Sequence, residues 1–258
     1  MPKNSFFIPN TMSDFRQFGL IGRNIDYSFS KAYFTEKFRS EGLEGNTYEN
    51  FDIADITGFQ DIIENNPDLS GLNVTIPYKE TVMPFLDKLS KKAKAIGAVN
   101  TIKFTKKGKL KGYNTDWFGF TKSIAPLLKT EHKKALILGT GGASKAVAFA
   151  LEKLGIGYIF VSRNEGRNTI TYEQLSPYMM SEYLVVINCT PLGTSPDINA
   201  FPDVPYEYFT PEHIAYDLIY NPSETTFLAK AAALGATTKN GHDMLIFQAE
   251  KAWEIWNS

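Results

Sequence analysis

The run best suited to chemistry is Gly139-Thr140-Gly141-Gly142-Ala143-Ser144. It directly follows the apolar stretch Ala135-Leu-Ile-Leu138 and precedes a helix-forming stretch from Lys145 to Leu154. Gly139 permits a tight turn, and Gly141 removes the side chain that would keep a pyrophosphate from the backbone amides. N–H groups exposed at a helix start then favour the anion. Ser144 stands where such fingerprints usually carry a third glycine, so the pattern is a variant. The glycines alone also fit a tight strand-to-helix turn that binds nothing, but the flanking strand and helix favour a dinucleotide.

The next strand, Tyr158-Ile-Phe-Val-Ser162, runs into Ser162-Arg163-Asn164-Glu165-Gly166-Arg167. An acidic residue at such a strand end binds a ribose 2′-hydroxyl, whereas forked guanidiniums suit a 2′-phosphate. Arg163 and Arg167 therefore point to NADP. Glu165 dissents, because a shifted loop could set it on the hydroxyl and admit NAD, and a surface ion pair between Glu165 and either arginine is a further reading.

A nicotinamide enzyme acting on an alcohol or ketone must also manage a proton. Lys79, in Asn73-Val-Thr-Ile-Pro-Tyr-Lys79, and Asp116, in Gly112-Tyr-Asn-Thr-Asp116, both sit just past strand ends, where α/β sheets hold ligands. A protonated lysine can donate to a developing oxyanion, and a neighbouring carboxylate favours its charged form. Taken alone, the two residues are indistinguishable from surface charges.

Short apolar runs alternating with amphipathic stretches describe an α/β chain with mainly parallel sheets. Phe18-Gly-Leu-Ile21 reads as a first strand, followed by a helix carrying Ala32, Phe34 and Phe38 that Gly42 closes. Leu72-Asn-Val-Thr-Ile76 reads as a strand stopped by Pro77, and Lys107-Gly108 as a hairpin turn between 98–104 and 109–113. Further strands are expected at 184–188 and 214–217. A last helix, 243–256, spaces Leu245, Phe247, Ala249, Ala252, Trp253 and Trp256 helically, and its aromatics read as core.

Lys+Arg 27 against Asp+Glu 28 leaves a formal charge of −1. That balance argues against a nucleic-acid partner, which a basic excess would advertise. The lysine-rich stretch 88–94, spaced with Leu86, Leu89 and Ala93, reads as the wet face of a helix. One cysteine excludes an intramolecular disulfide framework, and Cys189, at the end of Leu184-Val-Val-Ile-Asn-Cys189, reads as an inert buried thiol. The trio Phe6-Phe7-Ile8 is too short for a secretory core, and no run approaches the ~20 apolar residues of a membrane span. The expected compartment is the cytoplasm.

Six motifs occur in one order: Gly71-Leu-Asn-Val-Thr-Ile-Pro-Tyr-Lys79, Gly97-Ala-Val-Asn-Thr101, Asn114-Thr-Asp116, Gly139-Thr-Gly-Gly-Ala143, Asn188-Cys-Thr-Pro-Leu-Gly193 and Tyr216-Asp-Leu-Ile-Tyr220. Together they resemble the shikimate dehydrogenase family, NADP-dependent reductases of aromatic amino acid biosynthesis, from about Phe18 to Trp256. The resemblance implies Lys79 and Asp116 as the catalytic pair at the substrate's 3-oxygen. It implies Ser28 and Ser30 at the substrate carboxylate, with Asn73, Thr75, Asn100, Tyr220 and Gln248 as further substrate contacts. It assigns Gly139, Thr140, Gly141, Gly142 and Ala143 to the pyrophosphate, and Ser162, Arg163, Asn164 and Arg167 to the 2′-phosphate. Leu218 and Gly241 would pass the nicotinamide. The implied fold is a substrate domain over 1–116, with a helix at 241–258 packing back on it, and a Rossmann-type domain over 117–240, with the reaction in the cleft between them.

The chain departs from the family pattern at the serine loop, Asp26-Tyr-Ser-Phe-Ser-Lys31, around Arg163, and at Asp243, where a glycine is common. The first sixteen or so residues lack a family counterpart. His132 and His213 read as bland residues of polar loops, and His242 as a loop residue near the expected site. The implied reaction is the reversible NADPH-dependent reduction of 3-dehydroshikimate to shikimate, with a small-molecule substrate, no metal, and a monomer or homodimer. A quinate/shikimate dehydrogenase of broader substrate and cofactor range is the near alternative. A non-catalytic dinucleotide-binding regulator and a methylenetetrahydrofolate dehydrogenase are the distant ones.

Overall fold

The computed structural model describes residues 15–26 and 28–258. The amino-terminal segment 1–14 and Tyr27, on which the tail and part of the serine-loop reading fall, lie outside them. The chain divides into two compact units: Met1–Thr115 with Ala249–Ser258, and Asp116–Gln248.

The first unit runs β1 (Arg16–Gly22), α1 (Phe29–Ser40), β2 (Asn46–Asp52), α2 (Phe59–Asn65), β3 (Leu69–Val74), β4 (Lys88–Leu89), α3 (Lys91–Ile96), β5 (Thr101–Phe104) and β6 (Leu110–Tyr113). Its sheet has the order β2-β1-β3-β5-β6-β4. β1 pairs in parallel with β2 and β3, while β5 pairs antiparallel with β3 and β6. Alternate residues feed opposite faces. Phe18 and Leu20 pack with Phe34, Phe38 and Trp256, and Ile21 packs with Phe59, Leu72 and Ile102. Trp256 stacks on Phe18 with ring centroids 4.7 Å apart, and its indole N–H donates to the Ile102 carbonyl at 3.0 Å.

The turn at Lys107-Gly108 joins β5 and β6 as expected, closed by the Thr105 N–H on the Lys109 carbonyl at 2.9 Å. β3 differs from its reading. It begins at Leu69 and ends at Val74, short of Thr75 and Ile76, although the Val74 and Thr75 amides still bond to the carbonyls of Asn100 and Ile21. The lysine-rich stretch is no single helix either. Lys88 and Leu89 pair beside β6, and α3 starts only where the Ser90 hydroxyl caps it by accepting the Ala93 N–H at 3.1 Å.

The second unit runs α4 (Asp116–Ile124), β7 (Lys134–Leu138), α5 (Gly142–Leu154), β8 (Gly157–Ser162), β9 (Thr169–Thr171), α6 (Pro177–Glu182), β10 (Val185–Asn188), β11 (Ile214–Asp217), α7 (Thr226–Ala233), β12 (Thr237–Lys239) and α8 (His242–Asn257), whose last turns belong to the first unit. All six strands are parallel, in the order β12-β11-β10-β7-β8-β9. Counted from β7, that is the 3-2-1-4-5-6 order of the dinucleotide-binding fold, with the reversal between β7 and β10. Ala135, Ile137, Val185, Ile187, Ile214 and Tyr216 fill one face, while Leu136, Leu138, Val186 and Ala215 fill the other. Parallel strands covered on both faces read as continuous apolar runs, which is why the sequence exposes them.

His132 and His213 stand in loops, as read, but their rings are buried. His132 Nδ1 accepts the Lys129 N–H at 2.8 Å, with Nε2 3.0 Å from the Glu212 carbonyl oxygen. His213 accepts the Thr210 N–H at Nδ1 and faces the Met180 carbonyl at 3.0 Å. Each ring clamps a turn, a pattern that polar flanking sequence conceals.

Candidate active site

The glycine loop lies where α/β sheets collect phosphates. Gly139 follows β7 with φ +98° and its N–H on the Val161 carbonyl at 2.8 Å. That left-handed turn favours glycine and sets the chain into α5. The first turn of α5 has no side-chain cap, and a Cβ at Gly141 would meet nothing within 4 Å. The result is an open helix N-terminus at the switch point of the sheet, with amides free of a competing cap, which fits a pyrophosphate. Thr140 and Gly141 are exposed and Gly142 and Ala143 half-buried. Ser144, in place of a third glycine, is buried and donates its hydroxyl to the Gly141 carbonyl at 2.7 Å, so the helix starts three residues earlier than the sequence suggested.

Ser162 ends β8, and Arg163, Asn164 and Arg167 follow on an exposed turn. Glu165 accepts from Gln174 Nε2 at 2.7 Å, and among the described residues no ion pair joins it to either arginine. Both guanidiniums face solvent beside a carboxylate occupied elsewhere, an arrangement suited to a phosphate.

In the first unit, Asn73 and Asn100 are buried in one hydrogen-bonded network. The Tyr48 hydroxyl donates to Asn73 Oδ1 at 2.8 Å, and Asn73 Nδ2 donates to the Asn100 carbonyl at 3.2 Å. That carbonyl can only accept, which fixes the Asn73 amide with its NH2 toward it. Asn100 Oδ1 takes the Thr115 N–H at 2.7 Å and the Thr101 hydroxyl at 3.0 Å. Lys79, half-buried on the turn after β3, is anchored by its carbonyl to the Val99 N–H at 2.7 Å. Thr75 is half-buried at the same strand end, its N–H on Ile21. Ser28 caps α1 by accepting the Ser30 N–H at 3.2 Å, so both serines stand at one helix start.

Asp116 is buried at the first position of α4, where the helix dipole favours an anion. Gln248 is buried on α8 and donates to the Leu245 carbonyl at 3.0 Å. Leu218 and Tyr220 are half-buried after β11, and the Gly241 N–H bonds to the Ile219 carbonyl at 3.0 Å. Lys79 thus belongs to one unit and Asp116 opens the other. Asp243 forms an ion pair with Lys239, which holds its carboxyl below the usual range. His242 is exposed. Burial, with Asp217 a lesser cause, pushes the Cys189 thiol well up, so its thiolate is scarce.

Residue-type reasoning missed Tyr48, Thr101 and Thr115, each a direct partner of an implied site residue, and Asp217, whose carboxylate accepts the N–H of Ile219 beside Leu218. Thr115 and Asp217 sit inside quoted motifs, one position from an assigned residue, which is the signal that could have found them.

The family model for the shikimate dehydrogenase substrate binding domain matches residues 20–102. Shikimate dehydrogenase (NADP+) of Desulforamulus reducens is 36% identical, over 92% of this chain and 88% of that protein. Among solved structures, shikimate dehydrogenase from Aquifex aeolicus superposes with TM-score 0.84 at 33% identity, covering 95% of this chain and 94% of that one. Shikimate 5-dehydrogenase from Thermus thermophilus, in complex with NADP(H) and shikimate, gives TM-score 0.82 at 33% identity, covering 93% of each chain. Sequence likeness across nearly the whole length, with the same fold, means that the chain belongs to the shikimate dehydrogenase family.

Proposed function

We propose that the chain catalyses the reversible NADPH-dependent reduction of 3-dehydroshikimate to shikimate, in the cytoplasm and as a monomer or homodimer. The observation that carries the reading is the uncapped start of α5 behind the glycine loop, at the reversal of a six-stranded parallel sheet. Residues 139–143 hold the pyrophosphate, and Ser162, Arg163, Asn164 and Arg167 hold the 2′-phosphate. NADPH, when bound, supplies the hydride. Ser28 and Ser30 bind the substrate carboxylate, and Asn73, Thr75, Asn100, Tyr220 and Gln248 complete its hydrogen bonding. Lys79 donates a proton to the 3-oxygen as negative charge develops there and takes it back in the reverse direction. Asp116 is the second member of the catalytic pair.

The test mixes purified protein with shikimate and either NADP+ or NAD+ and follows reduced nicotinamide by near-ultraviolet absorbance. Turnover with NADP+ is expected, weaker with NAD+. No signal with either coenzyme from folded protein overturns the reading, and quinate turnover matching that of shikimate replaces it with the broader enzyme.

A further inference from the structure

We propose that Asp217 is a positioning residue: its carboxylate latches the segment 218–220 and the loop after β10 onto the carboxyl edge of the second sheet, and so sets the surface against which nicotinamide and substrate are held. The proposal rests on the reading above, in which Leu218 faces the nicotinamide and Tyr220 the substrate.

Asp217 is the last residue of β11 and is fully buried. Its Oδ1 accepts the Ile219 N–H at 3.0 Å and Asn188 Nδ2 at 3.1 Å, and its Oδ2 accepts the Thr225 hydroxyl at 2.6 Å. Each donor belongs to a different segment. Ile219 lies in the turn after β11. Asn188 ends β10 and passes the hold onward, its own Oδ1 taking the Thr190 N–H at 3.0 Å and hydroxyl at 2.7 Å. Thr225 is the N-cap of α7. These donors are all neutral, and burial pushes the Asp217 carboxyl up to about 6. An ionised group is thus kept where ionisation is costly, and what it offers there is acceptor capacity at both ends for three donors at once.

The backbone beside it has little slack. The Leu218 N–H donates to the Asn188 carbonyl at 3.0 Å. On the other side, a Cβ at Gly241 would stand 2.1 Å from the Leu218 oxygen, so only glycine lets the chain pass there. Residues 218 and 219 are gripped by β10, by Gly241 and by the carboxylate. Cutting the side-chain hold leaves the pyrophosphate and 2′-phosphate contacts in place but loosens the edge at which hydride transfer is aligned, and misalignment of reacting groups lowers kcat before it lowers affinity.

Asp217→Ala, Asp217→Asn and Thr225→Val are compared with the parent protein. Asp217→Ala is expected to lower kcat with shikimate by roughly tenfold or more, to raise the deuterium isotope effect from shikimate labelled at C3, and to leave the NADP+ dissociation constant within about twofold. Asp217→Asn, which keeps the Oδ1 acceptor, is expected to recover most of the rate. Thr225→Val, the milder variant should Asp217→Ala fail to fold, is expected to lower kcat about threefold at unchanged NADP+ affinity. Unchanged kcat in Asp217→Ala or Thr225→Val, loss of NADP+ affinity in step with kcat, or an Asn variant no better than Ala overturns the proposal. Hydrogen exchange of the 218–220 amides needs no substrate and is expected to quicken in both Asp217→Ala and Thr225→Val. If the parent protein turns over nothing while that exchange quickens, the reaction assignment fails and the latch stands; unchanged exchange overturns the latch itself.

Discussion

Asn100 and Thr115 are bonded in both directions: Asn100 Oδ1 accepts the Thr115 N–H at 2.7 Å, and Asn100 Nδ2 donates to the Thr115 hydroxyl at 2.9 Å. Both residues are buried, and the next residue along the chain is Asp116. One amide side chain thereby fixes the backbone that delivers the carboxylate. Replacing Asn100 by Ala strands buried donors and acceptors, so a stability loss of roughly 1–3 kcal/mol is expected in urea unfolding. A fall in kcat/KM for shikimate of about tenfold or more should accompany it. A variant as stable and as active as the parent would mean the pair is ornamental.

Lys79 offers a cleaner separation of binding from chemistry. Its backbone is held through the Val99 N–H, independent of its side chain. Lys79→Ala should therefore keep the turn and lower kcat by about 10²–10⁴, the usual worth of a general acid, with a smaller change in KM. Steady-state kinetics over a range of shikimate concentrations decide it: a raised KM at full kcat makes Lys79 a binding residue.

In the proposed reading the coenzyme preference depends on the exposed turn after β8. With Glu165 engaged by Gln174, the discrimination is left in that reading to Arg163 and Arg167. Arg163→Ala should lower kcat/KM for NADP+ by roughly tenfold, the scale of a lost charge-assisted hydrogen bond, while NAD+ changes little. An unchanged ratio of the two efficiencies removes the argument.

Gly141 separates fold from function in the glycine loop. Its φ of −76° is open to any residue and a Cβ there meets nothing, so Gly141→Ala should melt within about a degree of the parent protein. The added methyl does occupy the approach to the α5 amides, and calorimetry should register weaker NADP+ binding. Equal affinity in both proteins would remove the pyrophosphate from this loop.

Acid titration of Asp217 runs opposite to that of a salt-bridged carboxylate. Its folded value, near 6, lies above the unfolded 3.8, so the folded state holds the proton more tightly. The stability tied to this group is complete below pH 3.8 and is lost as pH rises through 6. Asp217→Asn stays neutral throughout. Melting curves between pH 5 and pH 8 should show the Asn variant gaining on the parent as pH rises, and a constant difference contradicts the burial argument.

The four inner strands of the second sheet were legible because they are largely apolar runs and the first turn is written in glycine. The first was legible only in part. β2, with the sequence Asn-Thr-Tyr-Glu-Asn-Phe-Asp, is an edge strand with one fully buried side chain and shows little alternation. The three-residue β9 and β12 are too short for a period to register. In the candidate site, residue types betrayed chemistry, but which side chain orients which did not follow from spacing. Tyr48 meets Asn73, and Thr225 meets Asp217, through folding that no local pattern encodes.

The indole of Trp256, with Ala249, Ala252 and Trp253 of the same helix, closes a core otherwise built from residues made long before it, among them Phe18 and Phe34, and it bonds to the Ile102 carbonyl. During synthesis the first-made lobe must wait, greasy and incomplete, until the helix that carries Trp256 is translated, while the lobe encoded between can be finished earlier. A stop codon shortly before Trp256 should therefore be felt far upstream in the polypeptide, as exposed aromatic surface that invites chaperones and proteases.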